Sequence, residues 1–301
     1  MTTPVLLACD WGTTNLRAWT LDADGAVVMQ KDLPLGVSRL APGEAALRFE
    51  DQVRPAFDAQ DLPTLMCGMI GSNLGWALAT YADCPAGFAE LARAFLTVAP
   101  GVRIVPGLRC AGLAGAPDVM RGEETQVLGW LAQNPARQRG RHLVVHPGTH
   151  AKWVVVENGR IVRFVTAMTG ELFAVLGKHS VLKSDAPATD QAAFATGLEA
   201  AGDGGALAAR LFTARGRVAG GGAPADSTPS YLSGLLIGAE VAAMADLLDA
   251  GREPVVLLGD AKLCAHYRAA LDHRGLASET FDGEGAAIAG LLALYRMGDD
   301  A

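Results

Sequence analysis

The chain has 301 residues, 50% of them hydrophobic and 19% charged, with a formal net charge of −7. That length can bury a large core and favours two domains. The acidic balance excludes a basic footprint for nucleic acid or acidic lipid, so a phosphorylated ligand must be held by backbone N–H groups, a metal ion or a few local cations. Five cysteines (Cys9, Cys67, Cys84, Cys110, Cys264) are scattered without a CxxC spacing, which predicts reduced thiols, small core residues and a cytoplasmic location. No basic segment followed by a long apolar run opens the chain, and no run reaches about 18 apolar residues, so neither a signal peptide nor a membrane partner is expected.

In chain order, residues 5–9 read as a strand. After a turn, "LRAWTL" and "AVVMQKDL" read as two more strands, joined by the Asp24-Gly25 hairpin signal. A helix is predicted around 43–58, and "PTLMCGMIGSNLGW" is a short buried strand entering a glycine-rich loop. A helix over 87–95, the strand "VRIVPGL" and the helix "GEETQVLGWLAQN" follow. "RHLVVHPGTHAKWVVVENGRIVRF" is a strand, a turn at Pro147-Gly148-Thr149, a strand, a hairpin at Asn158-Gly159 and a third strand.

The rest is mostly helical. "TGELFAVLGKHSVL" is one helix, residues 184–226 mix short helices with "GRVAGGGAPADSTP", and "PSYLSGLLIGAEVAAMADLLDAG" is a long apolar helix capped by Ser227 or Ser230. "EPVVLLGDAKLCAHYRAAL" is a buried strand, a Gly-Asp turn and a helix, and "GEGAAIAGLLALYRMG" closes the chain as a helix. Strands alternate with helices, so the class is α/β.

The segments "LLACDWGTTNLRAWTLDADGAVV" and "LVVHPGTHAKWVVVENGRIV" share one plan: strand, glycine-hydroxyl turn, strand, Asx-Gly hairpin, strand. This internal repeat predicts two domains of like topology. The first turn ends a strand in Gly-Thr-Thr, where glycine admits an anion closely and hydroxyls add donors. Asp10 at the strand end would repel a bare phosphate, so it reads either as a holder of Mg²⁺ through its waters or as the carboxylate of an ordinary Asx-turn. His146 stands where the repeat has Asp10, so metal support is expected from one side only.

Taken together, "DWGTTNLRAW", "GMIGSNLGW", "PGTHAKWV", "MTGELFAVL" and "YLSGLLIGAE" resemble the bacterial 2-dehydro-3-deoxygalactonokinase family, of the sugar kinase, heat-shock chaperone and actin superfamily. The resemblance covers the whole chain in order. It implies two ribonuclease-H-like domains, residues 1–138 and 139–301, with an ATP cleft between them and the last helix packing back toward the first domain. It also implies ATP-dependent phosphorylation of the 6-hydroxyl of 2-dehydro-3-deoxy-D-galactonate.

Carried onto this sequence, the resemblance gives Asp10 the Mg²⁺ shell and Gly12, Thr13, Thr14 and Asn15 the outer phosphates. Gly148, Thr149 and His150 form the second clamp. Gly259, Asp260 and Ala261 flank the adenosine, although Asp260 stands where the superfamily has a second glycine. The acid of this superfamily lies at the start of the helix before the second phosphate motif, here "RGEETQVLGWL". Glu123 is the expected base, with Glu124 second, and both also suit the helix dipole.

Arg17, Ser72, Asn73, Lys152, Thr169 and Glu171 are candidates for the sugar acid. Trp11, Trp76 and Trp153 wall the pocket or fill the core. Arg17 alternatively pairs across strands, and Glu171 alternatively supports a helix cap. Cys67 has no neighbouring base to make it a nucleophile. A polyphosphate hydrolase of the same architecture would want a basic channel, and a nucleotide-driven switch would want a peptide-binding or DNA-binding segment that the chain lacks. A homodimer is compatible with the apolar helices of the second half.

Overall fold

A computed structural model describes residues 3–202 and 205–299. The chain divides into two compact units. Unit 1 holds residues up to Arg141, the segment Val156–Phe164 and residues from Asp282 onward; unit 2 holds His142–Val155 and Val165–Phe281.

Unit 1 starts with β1 (Pro4–Trp11), β2 (Leu16–Asp22) and β3 (Val27–Leu33). β1 is a nearly continuous apolar run because it is buried on both faces in mid-sheet. β3 is exposed at the sheet edge. Asp22 Oδ1 accepts from the Asp24 and Ala26 N–H groups at 3.0 and 2.8 Å, fixing the β2–β3 turn. The helix expected over 43–58 is three pieces: α1 (Ala45–Arg48), a π-helical turn (Phe49–Val53) and α2 (Arg54–Ala56). Pro55 has no N–H to close the ordinary bond to residue 51, which accounts for the change of register.

β4 (Thr64–Gly68) follows, then β5 (Tyr81–Asp83), α3 (Phe88–Arg93), β6 (Leu96–Ala99), β7 (Val102–Ile104), β8 (Gly107–Ala111) and β9 (Pro117–Met120). α4 (Glu123–Ala132) ends this part. The main sheet has the order β3-β2-β1-β4-β7-β6, with β1, β4 and β7 parallel, and β5-β8-β9 form a small second sheet. β5, β6, β8 and β9 are additions to the sequence reading.

β10 (Arg141–His146) and most of β11 (Ala151–Glu157) open unit 2, the end of β11 and most of β12 (Arg160–Ala167) are counted with unit 1, and α5 (Thr169–His179), α6 (Gln191–Gly202), α7 (Leu207–Ala219) and α8 (Thr228–Leu247) follow in unit 2. β13 (Val255–Gly259), α9 (Ala261–His273) and β14 (Ser278–Asp282) follow. The sheet order is β12-β11-β10-β13-β14, and β13 runs parallel to β10. Both sheets therefore run third, second, first and then a parallel crossover strand, which is the repeat expected from sequence. Asn158 and Gly159 take positive φ of 48° and 76° in the β11–β12 turn, as the Asn-Gly signal requires.

α8 matches a membrane span in length and hydropathy, yet it is a core helix of unit 2, packed by α5, α6, α7 and α9. Ser227 occupies its N-cap position, but the hydroxyl donates to Pro224 O, while Ser230 Oγ accepts from Asp190 N; neither serine makes the expected cap bond.

α10 (Gly283–Asp299) belongs to unit 1 and lies against α4 and α3. Glycines let it come close: a Cβ at Gly290 would stand 2.1 Å from Thr125 O, and one at Gly129 would stand 1.8 Å from Ala286 O. That contact seats α4, and with it Glu123 and Glu124.

Candidate active site

The turn after β1 is held by its carbonyls. Gly12 O accepts from Val37 N at 3.1 Å, Thr13 O from Ser38 N at 2.9 Å and Ser38 Oγ at 2.7 Å, and Thr14 O from Gly36 N at 3.3 Å. Across a trans peptide the C=O of one residue and the N–H of the next point in opposite directions. The N–H groups of Thr13, Thr14 and Asn15 therefore point away from the 36–38 segment, and all three residues are exposed. A run of like-facing N–H groups is an anion-binding concavity.

Asp10 stands beside this turn, 9% exposed, with Oδ2 2.8 Å from Arg17 Nη2. Arg17 is thus engaged across the strand pair. Next to Asp10, β4 ends in Gly68 with φ of 88°, where a Cβ would meet Trp11 O at 2.8 Å and Asp10 Oδ1 at 3.2 Å. A Cβ at Gly122, φ 109°, would stand 3.2 Å from Gly68 Cα. Two glycines in left-handed conformation therefore bring the start of α4 against the ends of β1 and β4.

The two glutamates of α4 differ in what they face. Glu123 is half-buried, and its Oε2 accepts from Arg121 N at 3.1 Å. Glu124 is fully enclosed, accepts the Gly122 N–H on both oxygens (2.7 and 2.9 Å) and accepts the Thr125 hydroxyl at 3.1 Å. Burial, with the Glu123 charge beside it, pushes Glu124 from an ordinary 4.5 up to about 8. Cys67 is buried and bonded with the Thr125 side chain; burial raises its thiol far above the ordinary range, so it is no nucleophile.

A cavity of about 480 Å³ lies in unit 1 beside the first turn, lined by Ser38, Pro42, Ser72, Asn73, Trp76 and Leu78 among others. Trp76 sits against Phe49, ring centroids 5.5 Å apart. Ser72 closes its own turn, donating to Met69 O at 2.7 Å and accepting from Leu74 N at 3.2 Å, which leaves Asn73 as the exposed polar side chain. Trp11 and Trp153 are fully buried and fill the core.

In unit 2, the turn after β10 is exposed at Thr149 and His150. Thr149 O accepts from Glu171 N at 3.0 Å, so the His150 N–H faces the other way. His150 Nε2 and Glu171 Oε2 are 2.5 Å apart, which ties Glu171 to this turn rather than to a helix cap. Lys152 is buried and donates to Thr166 Oγ1 at 2.9 Å. Gly259 ends β13 with φ of 148°, its Cβ position 3.9 Å from His146 Nε2. Asp260 caps α9, accepting from Lys262 N and Leu263 N at 3.0 Å each. That use of the side chain accounts for an aspartate where a second glycine was expected.

Gly148 also borders a cavity of about 190 Å³ with Thr169, Phe173, Leu263, His266 and Tyr267. His266 stacks on Phe194 at 4.9 Å, and burial lowers its pKa, so the ring is neutral at pH 7. Behind this cavity, Glu240 of α8 is 7% exposed and accepts from Trp153 Nε1 at 2.6 Å and from the Tyr267 hydroxyl at 2.8 Å.

The 2-keto-3-deoxy-galactonokinase family profile matches residues 10–294, and the chain is 36% identical over 290 residues to the 2-dehydro-3-deoxygalactonokinase of Escherichia coli (strain K12), covering 96% of each. The chain belongs to the 2-keto-3-deoxy-galactonokinase family. Membership makes it a phosphotransferase, a kinase of galactonate catabolism, and implies ATP as the phosphoryl donor. The crystal structure of a Sinorhizobium meliloti protein assigned as a 2-dehydro-3-deoxygalactonokinase superposes with a TM-score of 0.85 at 35% identity, covering 97% of this chain and 98% of that one. At 14% identity and a TM-score of 0.54, the (R)-2-hydroxyglutaryl-CoA dehydratase component A of Acidaminococcus fermentans shares the fold, covering 98% of each chain. The hydrolase and switch readings find no support in these matches.

Sequence reasoning did not reach several residues of this 2-keto-3-deoxy-galactonokinase fold. Gly68 and Gly122 carry the close approach of β4 and α4. Arg121 lies over the Tyr81 ring at 4.4 Å and donates from Nη2 to Ala79 O at 2.8 Å, closing the base of the loop that carries Asn73 and Trp76. Glu240 lay unnoticed in an apolar helix. The glycines and Arg121 adjoin motifs already singled out; nothing in the sequence flags Glu240 except a lone acid in an apolar run.

Proposed function

We propose that the chain transfers the γ-phosphoryl group of ATP to the 6-hydroxyl of 2-dehydro-3-deoxy-D-galactonate, with Glu123 as the base. The observation that carries this is the contrast between adjacent glutamates: Glu124 is enclosed, while Glu123 is partly open beside Gly122, Gly68 and Asp10. Phosphoryl transfer needs positioning, charge neutralisation and a carboxylate to take the hydroxyl proton. Glu123 accepts that proton at its carboxylate, and its bond to Arg121 N holds its rotamer. The N–H groups of Thr13, Thr14 and Asn15, and the Gly148–His150 turn, take phosphate oxygens.

The sugar acid occupies the cavity beside Asn73 and Trp76, with Ser72 and Arg17 as further candidates for its polar groups. The nucleoside occupies the cavity of Leu263, His266 and Tyr267, next to Gly259, Asp260 and Ala261; neutral His266 suits an uncharged base. We take the two units to be the ribonuclease-H-like domains of this kinase. Five free cysteines suit a reducing, cytoplasmic compartment.

Among the described residues no three His, Cys, Asp or Glu side chains cluster as metal ligands. That fits Mg²⁺, which keeps several waters and takes one or two carboxylates together with substrate phosphates. Asp10 would hold it through that water shell, and the ion would neutralise charge on the phosphates.

ADP release measured on a panel of sugar acids tests the proposal. It requires ADP release that depends on the sugar acid, with a 6-phosphorylated product. ATP turnover indifferent to the acid rejects it.

A further inference from the structure

The Glu240 carboxylate is enclosed in the middle of α8 and collects donors from three other elements. Trp153 Nε1 reaches it from β11, the Tyr267 hydroxyl from α9 and the Thr169 side chain from α5. Burial outweighs the three hydrogen bonds and leaves its pKa above the ordinary carboxylate range. An apolar side chain would build the same helix without the cost of burying an acid. What the carboxylate adds is direction: it is acceptor-only when ionised, so it fixes the rotamers of three donors at once.

Two of those donors bear on one cavity. Thr169 and Tyr267 both line the space of about 190 Å³ that Gly148 borders. Thr169 also begins α5, and its neighbour Gly170 lies so close to the second turn that a Cβ there would stand 2.5 Å from Gly148 O and 2.8 Å from Thr149 Cα. Through Thr169, the seat of α5 on that turn depends on the same carboxylate. Trp153 takes part from outside, since it is fully buried, is not among the residues lining this cavity and lies two residues beyond Ala151 at the start of β11.

We propose that Glu240 is the positioning residue of the nucleotide subsite, holding Thr169 and Tyr267 in the geometry that shapes the cavity and seats the Gly148–Thr149 turn. The inference rests on the reading of this cavity as the nucleoside pocket. It assigns Glu240 no contact with the nucleotide and no part in proton transfer.

Steady-state kinetics with each substrate varied in turn tests it on three variants of the full chain. Glu240→Gln keeps the size of the side chain but places N–H donors among groups that donate. Disturbing that contact set raises KM for ATP about tenfold, the equivalent of about 1.4 kcal/mol. KM for the sugar acid stays within about twofold and kcat within about threefold, a split that general destabilisation would not give. Trp153→Phe removes a donor that does not line this cavity and raises KM for ATP in the same selective way. Should Glu240→Gln fail to fold, this second variant carries the test alone.

Ser233 of α8 also lines this cavity, so Ser233→Phe fills it directly and probes the underlying reading. If it leaves KM for ATP unchanged, the cavity is not the nucleoside pocket, and the reading falls together with the inference. If it raises KM for ATP while Glu240→Gln and Trp153→Phe do not, the reading stands and the role of Glu240 is overturned. Equal rises in both KM values, or a fall in kcat alone, overturn it as well.

Discussion

Arg17 Nη2 lies 2.8 Å from Asp10 Oδ2, and the two residues are direct partners in the register of β1 with β2. The guanidinium is partly exposed and the carboxylate nearly enclosed, so Arg17 orients Asp10 rather than burying it. If Asp10 holds Mg²⁺ as proposed, Asp10→Asn removes a charge on which the ion relies, and it is expected to lower kcat with Mg·ATP by about 10²-fold. His146→Asn, at the matching place of the repeat, is expected to stay within about threefold, since His146 has no part in the proposed transfer step. Equal and mild effects would mean that Asp10 only closes a turn.

Arg17→Gln separates the two readings of that arginine. A partly exposed ion pair is worth about 1 kcal/mol or less, so an orienting role predicts a loss in kcat/KM of no more than about tenfold, spread over both substrates. A rise confined to KM for the sugar acid would make Arg17 a substrate ligand instead.

Glu123→Gln is expected to cut kcat by about 10²-fold or more, with little change in either KM, as loss of a general base does. Near-normal turnover would reject the assignment.

Glu124 makes stability depend on pH. Its folded pKa of about 8 stands above the ordinary 4.5, so the folded state holds a proton that the unfolded chain loses first. Its contribution is full below pH 4.5 and is lost as pH rises toward 8, with a slope approaching ~1.4 kcal/mol per pH unit. Thermal melts of wild type and Glu124→Gln should therefore draw together, or cross in favour of the variant, between pH 5 and pH 8 (a window inside about 4.5 to 8). A gap independent of pH would show that Glu124 is ionised throughout.

Gly68→Ala and Gly101→Ala form a matched pair for backbone strain. Both glycines have positive φ, 88° and 69°, but a Cβ at Gly68 meets Trp11 O at 2.8 Å while one at Gly101 meets nothing within 4 Å. Gly101→Ala should cost only the left-handed conformation, about 1–2 kcal/mol. Gly68→Ala should lower Tm further and also reduce kcat, because the backbone that must move carries Asp10. Equal shifts in Tm with unchanged kcat would separate Gly68 from the site.

Much of this was legible because it is local. Gly-Thr-Thr, Asp-Gly and Asn-Gly specify turns over a few residues, and the strands on either side read from their apolar runs. The repeated plan therefore stood in the sequence before any coordinates, and both sheets bear it out. The short strands β5, β6, β8, β9 and β14 did not, since three to five residues of mixed character become strand only when a neighbour pairs with them.

The site divides in the same way. The sequence by itself placed two glycine-hydroxyl turns at strand ends, with an aspartate before the first and a pair of glutamates at a helix start, and made them the candidates for this chemistry. It ranked Glu123 before Glu124 without a physical ground for the order, because adjacent residues on a helix differ only by about 100° of rotation. The close seating of α10 on α4, with the left-handed Gly122 against Gly68, turned one carboxylate inward and left the other partly open. Glu240 was invisible for the same reason: its three hydrogen-bonding partners lie on β11, α5 and α9, and only tertiary packing brings them to one carboxylate.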